Sequence, residues 1–139
     1  MKYKKLHLAG CIILNESSEV LLLHRNTPIR KQWEMPGGKL EDGEDHQTAA
    51  EREIEEEIGV VIEIVKKLGR KDFIEDEYVV TYTWYLAKVK KGKPTIMERE
   101  KFDDLKFISW SDLSKMNDQL SPNTHNLVEA YFSGKINLN

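Results

Sequence analysis

Residues 38–60 read GKLEDGEDHQTAAEREIEEEIGV and carry the most informative pattern in this chain of 139 residues. Asp42 or Asp45 can cap the start of a helix, because a short acidic side chain accepts hydrogen bonds from free backbone N–H groups. Gly59 suits the left-handed backbone position just past a helix end. The spacing therefore predicts a helix over residues 45–58.

This predicted helix has one apolar face and one acidic flank. At 100° per residue, the apolar stripe consists of Gln47, Ala50, Ile54 and Ile58. Three carboxylates share one flank beside that stripe, those of Glu53, Glu56 and Glu57. Like charges at i,i+4 destabilise a helix by roughly 0.2–0.5 kcal/mol, and a bound cation would remove that penalty. Carboxylate oxygens suit hard cations such as Mg²⁺ or Mn²⁺. The alternative is an acidic face exposed to solvent.

The net charge of the whole chain conceals a strongly acidic segment around this predicted helix. Residues 41–57 contain nine acids and one base, a net charge of −8, whereas the whole chain carries −3 and the remainder therefore +5. An acidic segment inside an otherwise basic chain is compatible with a cation site beside an anion site. A net negative charge argues against a broad surface for a nucleic-acid polymer.

Composition limits the class of protein further. The length favours one domain over residues 1–139, and 40% hydrophobic residues can fill a core. No apolar run approaches the ~20 residues that cross a bilayer, so no membrane partner is expected. Cys11 is the only cysteine. It excludes an internal disulfide framework, fits a reducing cytoplasm, and lies in an apolar run that predicts a buried, inert thiol.

The rest of the chain alternates strands with a few helices, which indicates an α/β or α+β fold. The predicted strands are Leu6–Leu14, Val20–Leu23, Val60–Leu68, Glu77–Val89 and Leu105–Trp110. Two further helices are predicted, Ser111–Met116 and Ser121–Phe132, each beginning at a serine cap. Residues 33–39 are predicted to form a loop because Pro36, Gly37 and Gly38 interrupt regular structure.

Residues 38–60 resemble the signature of the Nudix hydrolases, G-x5-E-x7-R-E-U-x-E-E-x-G-U, where U is a bulky aliphatic residue. All nine specified positions match, namely Gly38, Glu44, Arg52, Glu53, Ile54, Glu56, Glu57, Gly59 and Val60. The resemblance implies a Nudix fold, in which a mixed β-sheet is sandwiched between α-helices. It also implies hydrolysis of a nucleoside diphosphate linked to another moiety, with divalent cations as cofactors, and a small-molecule nucleotide as substrate.

The resemblance also assigns roles within the signature. Glu53, Glu56 and Glu57 match the family's metal-binding positions, and Gly38 matches a position whose backbone oxygen lies near the metal. Glu44 and Arg52 match a pair that supports the loop and orients the glutamates. The metal is expected to be Mg²⁺, with Mn²⁺ as a possible substitute.

The sequence identifies the general base and the substrate-binding residues less specifically than the metal-binding residues. Glu53 can take a proton from the attacking water, but in several relatives the base precedes a late strand, where Glu100 and neighbouring Glu98 lie. Arg25 and Lys39 are candidates for phosphate binding. Alternatively, both are simply positively charged residues on the solvent-exposed surface.

The nucleobase contact rests on one residue, Asn123. It resembles the position at which MutT-type enzymes read an oxidised guanine, although asparagine is also ordinary near a helix start. Trp33 is interpreted as a packing residue. Tyr78, Tyr82 and Trp84 alternate along a strand and are interpreted as core residues, with stacking of one of them on a base as the alternative.

The leading interpretation is a MutT-like enzyme that converts a nucleoside triphosphate such as 8-oxo-dGTP to the monophosphate and pyrophosphate. Dinucleoside polyphosphates, ADP-ribose and other nucleotide sugars remain open as substrates. A non-catalytic nucleotide-binding regulator and an isopentenyl diphosphate isomerase are rivals from other classes; the first often lacks signature glutamates, and the second needs a further cysteine-based site. A monomer and a homodimer are both compatible with the sequence.

Overall fold

The computed structural model describes residues 2–139, so Met1, the first residue of the predicted domain, lies outside the described residues. The strands are β1 (Lys4–Ile13), β2 (Val20–Asn26), β3 (Lys31–Glu34), β4 (Gly37–Lys39), β5 (Val61–Glu75), β6 (Tyr78–Lys91) and β7 (Phe102–Ile108). The helices are α1 (His46–Ile58), α2 (Trp110–Leu113) and α3 (Pro122–Phe132), and a 3₁₀ turn covers Asn117–Gln119.

The strands form two sheets. One has the order β4-β1-β6-β5 and the other the order β3-β2-β7. The sheet containing β1 is mixed, because β1 runs parallel to β6 and antiparallel to β4. The prediction of a mixed sheet between helices is confirmed.

Two apolar clusters lie on opposite faces of β1, since successive side chains of a strand alternate between faces. Ala9, Cys11 and Ile13 pack with α1. Ile12 packs in the second cluster, which contains residues of α3. The two helices thus cover opposite sides of the molecule, and Cys11 is buried as predicted.

The caps of α1 agree with the sequence pattern. Asp45 accepts a hydrogen bond from the backbone N–H of Thr48 at 2.8 Å, and Gly59 adopts φ 69° just past the helix. The buried face is rotated from the predicted stripe, since Gln47 is exposed whereas Ala49 and Glu57 are buried. The rotation follows from packing of α1 against β1, β4 and β5 together.

The predicted loop over residues 33–39 is wrong in part, because it contains the end of β3 and all of β4. Gly37 pairs with Gly10, and Gly38 with Ala9, in antiparallel register. A Cβ atom at Gly37 would collide with the hydroxyl oxygen of Tyr82 and the backbone of β1. Glycine therefore does not prevent a strand here. It permits the backbones of β4 and β1 to approach each other unusually closely.

Several other boundaries differ from prediction, and two of them have a clear physical cause. β5 continues past Leu68 to Glu75 because it pairs with β6 along its length, with register shifts that break the two-residue periodicity. α2 is capped by Ser109 rather than Ser111, since the Ser109 hydroxyl accepts a hydrogen bond from Asp112. Among the described residues, no helix combines the length and the apolar character needed to cross a membrane.

Candidate functional site

A cleft of about 470 Å³ opens where α1, the β3–β4 segment and the start of α3 meet. Glu53 and Glu57 of α1 line it, and Asn123 of α3 lines it as well. Its walls also include apolar side chains, those of Leu6, Leu8, Met35, Phe73 and Val80. The cleft therefore joins an acidic region to an apolar one.

Glu57 is the most buried acid of the site, with 5% of its surface exposed. Its Oε1 accepts a hydrogen bond from the backbone N–H of Gly37 at 2.8 Å. Burial raises the pKa of the Glu57 carboxyl well above its usual range; the Gly37 N–H opposes the shift, and the neighbouring charge of Glu53 adds to it. A buried carboxylate of this kind costs free energy unless a positive charge compensates it.

Glu53 lies one turn earlier and is half-buried. Burial raises the pKa of its carboxyl, while the guanidinium of Arg52 opposes that rise. A Cβ atom at Gly38 would collide with the Glu53 carboxylate, so only glycine lets the β4 backbone approach this acid so closely. Gly38 and Glu53 therefore bring a backbone segment and a carboxylate to the same place.

Arg52 connects the helix to the loop before it. Its Nε and Nη2 donate to the two oxygens of Glu44 at 2.6 and 2.9 Å, and Nη2 also donates to the carbonyl of Lys39 at 2.9 Å. The hydrogen bond from Arg52 lowers the pKa of Glu44 to about 2, and a backbone N–H donated by Glu41 adds to the shift. The planar fork of the guanidinium fixes the loop against α1.

The third signature glutamate has a different environment. Glu56 is exposed, and its carboxylate accepts from Nη1 of Arg52 at 3.2 Å. The same Nη1 donates to Glu53 at 3.1 Å. Arg52 thus bridges two acids that would otherwise repel each other, and Glu56 does not line the cleft.

Within residues 2–139, no group of three or more His, Cys, Asp or Glu side chains is arranged to hold a metal ion. The donor chemistry nevertheless fits a hard divalent cation. Glu53 and Glu57 supply carboxylate oxygens beside the backbone of Gly38, and carboxylate and carbonyl oxygens are the ligands that such cations prefer. The buried charge at Glu57 is the feature that a cation would compensate.

The two candidates for an external base separate clearly in space. Glu98 lines the cleft, whereas Glu100 is exposed and does not line it. The backbone explains the difference, because the carbonyl of Glu98 accepts hydrogen bonds from Lys101 and Phe102 in a tight turn, both at 3.0 Å. The structure therefore places Glu98, not Glu100, among the acids of the site.

Arg25 and Lys39 both line the cleft, but Arg25 is already paired. Its guanidinium donates to both oxygens of Glu34 at 2.7 and 3.0 Å and lies 4.9 Å from the centre of the Phe102 ring. No local pattern in the sequence marks Glu34 as a partner of Arg25. Only the register of β2 against β3, in which Arg25 lies opposite Gln32, brings this acid within reach.

Asn123 lines the same cleft from the start of α3. Ser121 caps the helix as predicted, and its hydroxyl donates to Thr124 Oγ1 at 2.9 Å. The same Thr124 oxygen accepts the backbone N–H of Met35 at 3.0 Å. The Asn123 side chain accepts from the indole N–H of Trp84 at 2.9 Å, so it is tied to β6 as well.

Tyr82 and Trp84 are buried, as their interpretation as core residues predicted. Tyr82 also lines the cleft, and its hydroxyl lies beside Gly10 and Gly37. Because β1 pairs with both β4 and β6, this hydroxyl fills the space that two glycines leave. No signal in the sequence distinguishes this tyrosine from its neighbours.

A family model described as NUDIX domain matches residues 5–131. The chain is 30% identical to the 8-oxo-dGTP diphosphatase of Escherichia coli strain K12 over 93 residues, which cover 66% of this chain and 72% of that relative. It is 32% identical to the 8-oxo-dGTP diphosphatase of Haemophilus influenzae over 68% of this chain and 71% of that relative. A third match, 42% identical, to the Proteus vulgaris 8-oxo-dGTP diphosphatase spans 43% of this chain and 55% of that protein.

Solved structures share the whole architecture. The MutT protein from Methanosarcina mazei Go1 superimposes with a TM-score of 0.84 at 21% identity, over 96% of this chain and 97% of that one. The MutT NUDIX hydrolase from Burkholderia pseudomallei superimposes with a TM-score of 0.77 at 26% identity, over 91% and 97%. The arrangement of sheets and helices around the cleft is therefore shared with these proteins.

Proposed function

The chain belongs to the Nudix family, and from that premise we propose that it is a Mg²⁺-dependent pyrophosphohydrolase of nucleoside triphosphates. The proposed substrate is an oxidised purine nucleotide such as 8-oxo-dGTP, and the products are the monophosphate and pyrophosphate. The observation that carries this proposal is a single cleft lined both by two acids of α1, Glu53 and Glu57, and by Asn123 of α3. Such a cleft can hold a polyphosphate and a base at once.

Nudix hydrolases generally need a divalent metal, and we assign its ligands here to Glu53, Glu56, Glu57 and the carbonyl of Gly38. A bound Mg²⁺ would neutralise phosphate charge and acidify a bound water, and Mn²⁺ would substitute for it. Glu56 can bind the metal only if it leaves its hydrogen bonds to Arg52. The bidentate pair with Glu44 would keep the Arg52 guanidinium in place after that change.

The remaining residues then have roles that follow from their positions. Glu53 or Glu98 accepts the proton of the attacking water, because both line the cleft and Glu100 does not. Lys39 and Arg25 face the polyphosphate. Arg52 acts as a positioning residue, because it does not line the cleft and its guanidinium holds Glu44 and the carbonyl of Lys39.

Two rival functions predict different sites. A non-catalytic regulator has no need of every acid of the signature, yet this chain retains all of them. An isomerase needs a cysteine that reaches the substrate, but Cys11 is fully buried against α1. Burial also raises the pKa of that thiol, which disfavours the reactive thiolate.

The acting unit is a single domain over residues 1–139, a monomer or homodimer in the cytoplasm. Its partner is a small nucleotide rather than a nucleic-acid polymer or a membrane. Size-exclusion chromatography with light scattering measures the oligomeric state directly.

The test is product analysis on a nucleotide panel with Mg²⁺. The panel contains 8-oxo-dGTP, dGTP, a dinucleoside polyphosphate and ADP-ribose, and chromatography separates pyrophosphate from phosphate. The expected result is monophosphate plus pyrophosphate, with 8-oxo-dGTP turned over most efficiently. Turnover of none of them would favour the regulator, and preference for ADP-ribose or the dinucleotide would replace the proposed substrate.

A further inference from the structure

The hydrogen bond between Trp84 and Asn123 fixes the orientation of the Asn123 amide. The indole N–H is a donor and has no acceptor function, so the amide must present its oxygen to Trp84. Rotating the amide by 180° would place its NH₂ group against the indole N–H. Both side chains are buried, at 2% exposure for Trp84 and 7% for Asn123, so water cannot repair such a clash.

The amide nitrogen of Asn123 consequently faces the other way. Asn123 lines the cleft, whereas Trp84 does not. The nitrogen has no hydrogen-bond partner among residues 2–139, and no fully buried polar side-chain atom of those residues lacks a partner. The NH₂ group therefore reaches open space, and for this residue that space is the cleft.

The backbone around Asn123 leaves the side chain little other freedom. The Ser121 backbone N–H donates to the carbonyl of Trp33 at 2.9 Å, and Met35 donates to Thr124 at 3.0 Å. The start of α3 is thus bound to β3 and to the segment after it. These contacts already fix the position of Asn123, so the hydrogen bond from Trp84 determines only which way its amide group points.

We propose that Trp84 is a positioning residue for base specificity, which makes Asn123 a hydrogen-bond donor that selects purines with a carbonyl at C6 over purines with an amino group there. The proposal rests on the proposed function, in which the part of the cleft beside Asn123 holds the base. A donor facing a C6 carbonyl forms a hydrogen bond. A donor facing a C6 amino group leaves two donors opposed and desolvated.

The experiment compares dITP with dATP, because hypoxanthine and adenine differ at C6 and share hydrogen at C2. The wild-type protein should prefer dITP by about 10-fold or more in kcat/KM, mainly through KM. The Trp84→Phe variant keeps a buried ring but loses the donor, so the amide can turn. Its dITP/dATP ratio should fall by at least about fivefold.

Trp110→Phe is the matched control. Trp110 is also a buried tryptophan of the same apolar cluster, it stacks on Tyr131 at 3.8 Å between ring centres, and its indole N–H has no hydrogen bond to the described residues. Its substitution should leave the ratio within about twofold. In an Asn123→Ala background, Trp84→Phe should change the ratio no further, because Trp84 acts through Asn123.

Binding separates this proposal from the proposed function. Calorimetric dissociation constants for dIMP and dAMP should show the same preference and the same response to Trp84→Phe, without any turnover. Absence of turnover with the binding preference intact would refute the catalytic proposal alone. A folded Trp84→Phe variant with an unchanged ratio would overturn the role of Trp84. Should that variant not fold, a wild-type dITP/dATP ratio near one would overturn the role by itself.

Discussion

Replacing Glu57 by glutamine is expected to change activity and stability in opposite directions. Glutamine has nearly the same shape, and its amide oxygen can still accept the Gly37 N–H that Glu57 Oε1 accepts at 2.8 Å. The substitution removes a negative charge that is 95% shielded from solvent and lies near the acids Glu53, Glu34 and Glu98. The metal-free fold should therefore become more stable, while the site loses a ligand.

The expected gain in stability follows from the cost of that buried charge. Burying an ionised carboxylate without a paired cation costs several kcal/mol in a rigid protein. After relaxation of the surroundings, we expect the substitution to raise the free energy of unfolding by about 1–3 kcal/mol. For a chain of this size the melting temperature should rise by about 3–4 °C per kcal/mol. Because folding raises the pKa of the Glu57 carboxyl, the wild-type fold loses stability as pH rises above the ordinary value of 4.5. The gain should be present at pH 7.5 and small at pH 4.

The expected loss of activity is at least ~100-fold in kcat, the scale associated with losing metal-assisted charge stabilisation. Thermal denaturation in EDTA measures the stability, and pyrophosphate release with Mg²⁺ measures the activity. Mg²⁺ should raise the melting temperature of the wild-type protein more than that of the variant, because a ligand stabilises only the fold that binds it.

Glu55→Gln is the control, since it removes the same charge from an exposed position of α1. It should leave kcat within about twofold and the stability within about 0.5 kcal/mol. A Glu57→Gln variant that is less stable than the wild type without metal would refute the account of its burial. Wild-type turnover with intact Mg²⁺ dependence would refute its assignment as a ligand.

Three further outcomes are expected. Glu44→Gln should lower the urea midpoint at pH 7, and the difference from wild type should shrink as pH falls from 4.5 towards 2, because Arg52 depresses the pKa of Glu44 and its stabilising charge is lost only in acid; a pH-independent difference would contradict the pairing. Glu98→Gln should lower kcat by at least about tenfold and Glu100→Gln by less than twofold, because only Glu98 lines the cleft; equal effects in steady-state kinetics would remove Glu98 from the site. Cys11 should resist alkylation in the native protein and react in urea, as mass spectrometry can show, since its thiol is fully buried; rapid native labelling would disprove that burial.

Short-range features of this protein could be read from the sequence because neighbouring residues decide them. Asp45 and Gly59 set the ends of α1 by capping and by a left-handed backbone, and the structure retains both. The nine matching positions of residues 38–60 identified the family for the same reason, since their spacing needs no knowledge of the rest of the fold. The burial of Cys11 followed from the apolar run around it.

Features that depend on pairing between distant segments were decided by the tertiary structure. Periodicity predicted Gln47 rather than Glu57 on the buried side of α1, because the face that a helix buries depends on the strands packed against it. A turn selected Glu98 over Glu100 for the cleft.

Strand register determined the closest partners in the site. Arg25 meets Glu34 because β2 pairs with β3, and Trp84 meets Asn123 because β6 and the start of α3 pack together across 39 residues of sequence. A local pattern fixes which chemical groups a segment carries. Which of them become buried, paired or turned towards a ligand depends on free energies shared among segments that meet only in the folded chain.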